Sequence, residues 1–317
     1  MKNIAVEVVD IQNVTPLVKQ FTLMNKNNSE LPSFSGGSHI VVSMNLENRL
    51  IKNPYSLMSS PFDTKIYKIA ILKQGKSRGG SLFMHERIFI GSELKISYPV
   101  NFFPLFKKAK KHILIAGGIG ITPFISQLYE LNKSKLNFEI HYSFRSNNLG
   151  AFVNEIKKTY KNHVNLYCDE NNEFMDFEKI LKNQPLGTHV YVCGPKSMIC
   201  VLKNIAINLG WPSNHIHSEQ FISPPVGEAF NVYLAKSKKE IIVDSEISLL
   251  EAIENAGVKA DYLCRGGSCG KCELEIIEND GIVYHNDNYL TEIEKNLGKK
   301  ILPCVSRANS SSLILNI

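Results

Sequence analysis

Cys264, Cys269, Cys272 and Cys304 are spaced C-x4-C-x2-C, with the fourth cysteine after 31 intervening residues. Thiolates at this spacing are the plant-type ligand pattern for a [2Fe-2S] cluster. The residues between the first three, Arg265-Gly266-Gly267-Ser268 and Gly270-Lys271, include three glycines, so the backbone can fold tightly enough to aim N–H groups at sulfur. Four thiolates also bind structural zinc. Zinc sites usually place two ligands on each of two short knuckles, however, whereas three of these cysteines share one loop. The expected chemistry is one-electron transfer.

Gly117-Gly118-Ile119-Gly120-Ile121-Thr122-Pro123 closes an apolar run, His112 to Ala116, and opens a helical one. Such a turn presents free N–H groups and the positive end of a helix to a phosphate. Glycines in a βα turn also serve packing alone, which is the plainer reading. A second turn, Cys193-Gly194-Pro195, ends another apolar run, and open α/β sheets gather their ligands beyond the carboxyl ends of the strands.

Three kinds of texture position these residues. From residue 1 to 104, Ala5 to Val9, Val18 to Leu23, His39 to Met44, Tyr67 to Leu72 and Glu93 to Ser97 read as short strands. Pro32, Gly36-Gly37, Pro54, Pro61 and Gly79-Gly80 read as the turns between them. That density of strands predicts an antiparallel barrel. Residues 105 to 225 alternate strand and helix: His112 to Ala116 then Pro123 to Asn132, Phe138 to Phe144 then Phe152 to Tyr160, His189 to Cys193 then Lys196 to Leu209. The alternation predicts a doubly wound parallel sheet. Pro224-Pro225 and Gly227 look like a linker. A third domain, residues 226 to 317, then carries a hairpin (Phe230 to Ala235 with Lys239 to Val243), an amphipathic helix (Ser248 to Ala256) and the cysteine loop.

The 317 residues are 44% hydrophobic, which suits globular cores. No stretch approaches the roughly 20 apolar residues of a membrane span, and the N-terminus starts as a strand, so a cytoplasmic protein without a membrane contact is expected. Cys168, Cys193 and Cys200 are an odd, scattered set and read as reduced thiols. The net charge is +6, divided unevenly: residues 226–317 hold ten basic and fourteen acidic side chains, and residues 1–225 hold 26 and 16. Apart from Lys107, Lys108, Lys110 and Lys111 the lysines are dispersed and not interleaved with stacking aromatics. Nucleic acid is therefore not an expected partner.

In order along the chain, Tyr55-Ser56, Gly79-Gly80-Ser81, Gly117 to Pro123, Cys193-Gly194-Pro195, Glu219-Gln220-Phe221 and the four cysteines resemble the ferredoxin-reductase-like flavoproteins of the phthalate dioxygenase reductase type. The resemblance covers essentially the whole chain. It implies a flavin barrel, a pyridine-nucleotide domain and a C-terminal plant-type ferredoxin of β-grasp fold. It further implies an NADH-dependent flavin iron-sulfur oxidoreductase that delivers electrons to a separate Rieske-type oxygenase. Phe34 to Ile40, Tyr55 to Ser59 and His112 to Phe124 resemble, more narrowly, the members whose oxygenases act on carnitine.

Such proteins bind flavin with an Arg-x-Tyr-Ser motif, and here Asn53-Pro54-Tyr55-Ser56 lacks the arginine. The resemblance implies that Tyr55 packs on the flavin ring and that Ser56 approaches its N5. Asn53 stands in the arginine's place, so the phosphate needs another cation, and Arg78, directly before the amides of Gly79, Gly80 and Ser81, is the candidate. It implies that Phe221 closes over the flavin beside Glu219, that Thr122 lies near the nicotinamide, and that Cys193 and Gly194 border the hydride path. Gly117, Gly118, Gly120, Pro123 and Pro195 complete the nucleotide turns. Tyr55, Phe221 and Cys193, each taken alone, would read as core. Arg145, after the second strand, would meet a 2′-phosphate or stand as an exposed turn residue. The resemblance favours NADH, leaves NADPH open, and favours FMN, for no adenine pocket is recognisable. His285, Asp287, Leu290 and Trp211 read as structural. A reductase for an aromatic-ring dioxygenase or an O-demethylase would share every motif. A non-catalytic redox sensor would need neither the flavin nor the nucleotide motif.

Overall fold

The computed structural model describes residues 3–46, 49–75, 78–310 and 312–317. Its first part comprises β1 (Ile4–Thr15), β2 (Val18–Asn25), β3 (His39–Leu46), β4 (Arg49–Ser56), β5 (Ile66–Leu72), α1 (Gly80–Glu86) and β6 (Glu93–Ile96). The six strands make the antiparallel barrel sheet, ordered β4-β3-β6-β1-β2-β5. Register shifts at Val8/Asp10 and Asn13/Thr15 mark bulges in β1, the device that bends a long strand and increases its twist. Two expectations change here. Pro54 is not a turn residue but lies inside β4, at the end of the strand order, where a residue without an N–H sacrifices least. Gly79-Gly80 leads directly into α1, a short helix that the glycine pair conceals in the sequence.

The middle part comprises β7 (Lys111–Gly117), α2 (Thr122–Lys133), β8 (Phe138–Phe144), α3 (Val153–Thr159), β9 (Val164–Cys168), α4 (Phe177–Leu181), β10 (Thr188–Cys193), α5 (Lys196–Asn208) and β11 (Ile216–Glu219). Its strands form a parallel sheet ordered β11-β10-β7-β8-β9. Alternate side chains serve opposite faces. Leu114, Ala116, Ile140 and Tyr142 pack with Phe124, Leu128 and Leu131 of α2, while Ile113, Ile115, Val190 and Val192 pack with Ile199, Leu202 and Ala206 of α5. The edge strands β9 and β11 are absent from the sequence reading because they are short and half-exposed, without the continuous apolar run of a central parallel strand.

Across this sheet runs a ladder of imidazoles. His189 pairs in register with His112, its Nδ1 lies 2.9 Å from Nε2 of His217, and it stacks on His215 at 4.1 Å. Tyr191 stacks on His217 at 4.4 Å. Burial, then the nearby His215 and His217, lowers the pKa of His189 to about 4, so its ring is neutral near pH 7.

The last part comprises β12 (Phe230–Leu234), β13 (Lys239–Val243), α6 (Leu249–Asn255), β14 (Leu274–Asn279), β15 (Ile282–Tyr284), α7 (Glu292–Leu297), β16 (Lys300–Ile301), β17 (Arg307–Asn309) and β18 (Leu313–Leu315). The expected β12–β13 hairpin is present, and β18 inserts parallel to β12 to give the order β13-β12-β18-β14-β16. Ser248 and Glu251 cap α6 reciprocally, the S-x-x-E signature of a helix start.

The chain divides into two compact units. One is Met1–Ile40, Tyr55–Gly75 and Ser81–Phe221; the other is Val41–Pro54, Lys76–Gly80 and Ile222–Ile317. Part of β3, most of β4 and the Arg78-Gly79-Gly80 turn thus group with the cysteine-bearing segment. Among the described residues no helix is long and apolar enough to cross a membrane.

Candidate functional site

In the first unit, the carboxyl edge of the parallel sheet lines up the expected nucleotide residues. Register pairs join Gly117 to Ser143, Ala116 to Cys193, and Cys193 to Glu219. The glycines there differ in what they do. A Cβ on Gly120 would stand 2.2 Å from the carbonyl oxygen of Cys193, and one on Gly117 would stand 2.6 Å from the sulfur of Met198. A Cβ on Gly194 would lie 2.9 Å from that same sulfur. These three let the two turns interlock, so the packing reading holds for them. Gly118 is different: its φ is +55° and a Cβ there would meet nothing within 4 Å. It marks the open side of the turn, directly before α2, whose N-cap Ile121 offers no side-chain acceptor and whose first turn contains Pro123. Backbone N–H groups left without an intrahelical acceptor suit a phosphate. The residues fit a pyridine nucleotide.

Thr122 is buried and its hydroxyl donates to the carbonyl of Ile119 at 3.0 Å, which tightens the turn. The Cys193 thiol is pushed well above its ordinary pKa by burial and then by the Glu219 carboxylate, so it is neutral. Arg145 is exposed, and its carbonyl accepts from Glu170 N–H. Ser56 is buried, Tyr55 half-buried and Phe221 exposed. Ser81 Oγ accepts from Gln74 N–H at 3.2 Å. Gly36 and Gly37, read as turn residues, donate to Glu130 Oε1 and Ser126 Oγ of α2 at 2.9 and 3.0 Å. Trp211 packs on the core beneath α5, as its lack of neighbouring motifs suggests.

His39 is a buried residue to which the sequence reading assigns no role. Both its ring nitrogens lack a hydrogen-bond partner, and burial lowers its pKa to about 4.

In the second unit, the four thiols form two hydrogen-bonded pairs. The bond to Cys269 lowers Cys264 to about 5 and raises Cys269, while Cys304 lowers Cys272 and is itself raised by it. Gly266 N–H donates to Cys264 Sγ at 3.4 Å and Lys271 N–H to Cys269 Sγ at 3.5 Å. No three His, Cys, Asp or Glu side chains among the described residues converge as on a single metal ion. Four thiols on this spacing, with backbone N–H groups donating to Cys264 and Cys269, would suit a two-iron cluster better than one tetrahedral zinc. Gly270 (φ +68°) is required by Tyr289, whose ring carbon would lie 2.2 Å from a Cβ. Asp287 accepts from the N–H groups of Tyr289 and Leu290 at 3.2 and 2.8 Å. Burial raises its pKa, yet His285 and those amides hold it below the usual range.

Asn53, Arg78, Gly79 and Gly80 also belong to this unit. A Cβ on Gly80 would lie 2.4 Å from Asn53 Nδ2, and Gly79 has φ +102°. The Arg78 guanidinium is buried against Glu251, Nη1 to Oε2 at 2.6 Å, with Asn53 Oδ1 at 3.5 Å. Sequence reasoning misses Glu251 as a partner, although the S-x-x-E cap that fixes it is visible in the chain.

Residues 99–216 match the family described as dimethylamine monooxygenase subunit DmmA-like, N-terminal domain, and residues 232–309 match the 2Fe-2S iron-sulfur cluster binding domain. The carnitine monooxygenase reductase subunit of Acinetobacter pittii (strain PHEA-2) is 44% identical over 309 residues, covering 97% of this chain and all of that one. The heme-dependent oxidative N-demethylase beta subunit of Ectopseudomonas mendocina (strain ymp) is 39% identical, with 98% of each chain covered. Among solved structures, phthalate dioxygenase reductase, described as a modular structure for electron transfer from pyridine nucleotides to [2Fe-2S], superposes with a TM-score of 0.89. It is 29% identical, with 99% and 98% of the chains covered.

Proposed function

Because this chain belongs to the oxygenase-reductase family that includes the carnitine monooxygenase reductase subunits, we propose that it passes electrons from NADH through FMN and a [2Fe-2S] cluster to a Rieske-type oxygenase. In this reading the oxygenase cleaves carnitine to trimethylamine and malic semialdehyde, and the pair works in the cytoplasm. The observation that carries the reading is the C-x4-C-x2-C loop with its fourth cysteine, in which backbone N–H groups of Gly266 and Lys271 donate to the sulfurs of Cys264 and Cys269. Flavin, when bound, accepts two electrons with a hydride and releases them singly, and the cluster carries one at a time; this chemistry is the cofactors' own.

The protein's part is to hold and orient. We assign ring contact to Tyr55 and Ser56. We assign the flavin phosphate to the amides of Gly79, Gly80 and Ser81, with Asn53 and Arg78 beside them. Glu251 already neutralises much of the Arg78 charge, so the amides bear more of the phosphate than the arginine does. Gly117, Gly118, Gly120, Thr122, Pro123, Gly194 and Pro195 shape the nucleotide turns, with Arg145 at their margin. Cys193, as a neutral thiol, supplies bulk beneath the nicotinamide, and Glu219 and Phe221 stand over the flavin.

A second reading of the partner has its own support, the likeness to the heme-dependent N-demethylase subunit and to the DmmA-like family. In it the acceptor is a haem-dependent amine demethylase. Reconstitution decides between them. Trimethylamine formed from carnitine and NADH with a Rieske oxygenase supports the first reading. Turnover of a secondary amine with a haem-dependent partner, and none with the Rieske protein, selects the second.

A further inference from the structure

Three carboxylates on and just before α6 are taken up by three cations from the 49–78 stretch, all within the second unit. Glu246 Oε2 lies 2.5 Å from Arg49 Nη1, Glu251 Oε2 lies 2.6 Å from Arg78 Nη1, and Glu254 Oε1 lies 3.0 Å from Lys52 Nζ. Arg49 also donates to the Arg78 carbonyl at 2.8 Å. The pairs are graded from exposed, through half-buried, to fully buried. Glu254 then accepts from Arg265 through the same Oε1. Arg265 is the residue next to Cys264, it adopts φ +52° without being glycine, and its guanidinium lies 3.8 Å from the ring centroid of Tyr262. Left-handed backbone at a non-glycine residue persists only where its surroundings over-determine it, and here the carboxylate and the ring do so.

We propose that these pairs form an ionic clamp that fixes the cluster loop against the 49–53 stretch of β4, with Glu254 as the positioning residue that passes the constraint through Arg265 to Cys264. The clamp sets where the cluster stands when it receives electrons. The inference rests on the flavin-to-cluster order proposed above and adds to it an assignment of what holds the cluster in place. A bidentate guanidinium is suited to the part, since its planar fork fixes orientation as well as distance.

The test uses the full-length, cofactor-loaded protein with the exposed pair, because Arg49→Glu and Glu246→Arg alter half-exposed or exposed side chains; since Arg49 also donates to the Arg78 carbonyl, flavin content is matched to the parent's in every variant before mixing. Flavin reduction and cluster bleaching are followed separately after mixing with NADH, and protease cleavage in residues 222–229 is followed without it. Arg49→Glu alone is expected to slow cluster bleaching about tenfold, leave flavin reduction unchanged and speed cleavage; the Arg49→Glu/Glu246→Arg double variant is expected to restore both. Lys52→Gln should slow bleaching and broaden the electron paramagnetic resonance signal of the reduced cluster, which a merely stabilising pair would not do. Bleaching within twofold of the parent in Arg49→Glu, or no recovery in the double variant, overturns the clamp. If instead the parent protein's cluster bleaches equally fast after flavin has been stripped, the carrier order fails, and the clamp's role with it.

Discussion

Around the nucleotide turn, position is held by neutral contacts: Gly120 against the Cys193 carbonyl, Gly117 and Gly194 against Met198, and the imidazoles of His112, His189 and His217, each lowered in pKa by burial. Around the cluster loop, position is held by charge. Arg78 and Glu251 are buried together, Glu254 is shared by Lys52 and Arg265, and Arg307 donates to the carbonyls of Ile247, Glu228 and Asp244. Neutral packing is indifferent to salt and fails when a buried base is protonated. Buried ion pairs fail when one partner is removed, because the remaining charge is stranded. The two regions should therefore break under different insults.

The largest effect is expected from Cys269→Ser. It removes one thiolate from one pair, so the visible absorption of the cluster and electron delivery to the oxygenase should both vanish. NADH-driven reduction of a flavin-reactive dye should continue, since the nucleotide region shares none of those ligands. Loss of both activities in a folded, flavin-loaded variant would refute that independence.

Next in size is Arg78→Ala. Burial alone would raise the Glu251 carboxyl, and Arg78 and Ser248 hold it below its ordinary range. Removing the cation strands that carboxylate, which should cost ~3–5 kcal/mol, read as a shift in the urea midpoint. Arg78→Met combined with Glu251→Gln keeps an oxygen for the helix cap and should recover most of the loss. Equal destabilisation by the single and double variants would show that the pair is not the source.

Acid should reverse the ranking of the two regions. His39 has a folded pKa of about 4 against 6.5 when exposed. Between these values the unfolded chain binds a proton that the folded one refuses. Its contribution is complete above pH 6.5 and is lost as pH falls toward 4, a change of ~3 kcal/mol. Glu251 and Asp287 are depressed carboxylates, so their contribution is lost only at still lower pH. Melting followed between pH 7 and 4.5 should thus show the first unit softening first, and His39→Leu should flatten that slope. An unchanged slope would place the acid sensitivity elsewhere, with the His189 ladder the next to vary.

A smaller steric contrast lies within one turn. Gly120→Ala should cost ~1–3 kcal/mol through overpacking on the Cys193 carbonyl, and nucleotide affinity should fall with it. Gly118→Ala faces open space and pays only for its left-handed backbone, ~1 kcal/mol. Because the open side is where a phosphate is expected, Gly118→Ala should lower nucleotide affinity by more than its stability loss explains, and unchanged affinity would move the phosphate away from that side.

How much of this is legible in the sequence depends on whether an interaction is local. The cysteine loop, the Gly117–Pro123 turn and the order of strands and helices are local patterns, and they stand as the spacing and periodicity suggest. Pro54 inside β4 and the short α1 mislead because proline and glycine are read as breaks, whereas an edge strand tolerates one and a helix start the other. The Arg78–Glu251 pair joins residues 173 positions apart, and nothing in either neighbourhood announces the other. The grouping of 41–54 and 76–80 with the C-terminal segment is invisible for the same reason.

The smallest effect concerns the encounter with the oxygenase, and here the structure tempers what the charge count alone suggests. The excess of acid in residues 226–317 points to an acidic docking face, yet Glu246, Glu251 and Glu254 are engaged within the second unit. Two carboxylates near the cluster are left at the rim, each beside a lysine: Asp261 lies 3.4 Å from Lys271, and Glu273 lies 3.2 Å from Lys300, which it shares with Glu294. Rim charges act mainly by steering the encounter, and a lysine beside each carboxylate weakens the field it projects. Asp261→Asn with Glu273→Gln should therefore lower the apparent second-order rate of oxygenase reduction only ~3-fold at low ionic strength. The difference should disappear at about 0.5 M salt, where the Debye length is roughly 4 Å, while dye reduction by NADH should be unaffected at either salt concentration. A loss that persisted at high salt would mean that these side chains make close contact with the partner, and no loss at low salt would assign docking to apolar contacts or to another face.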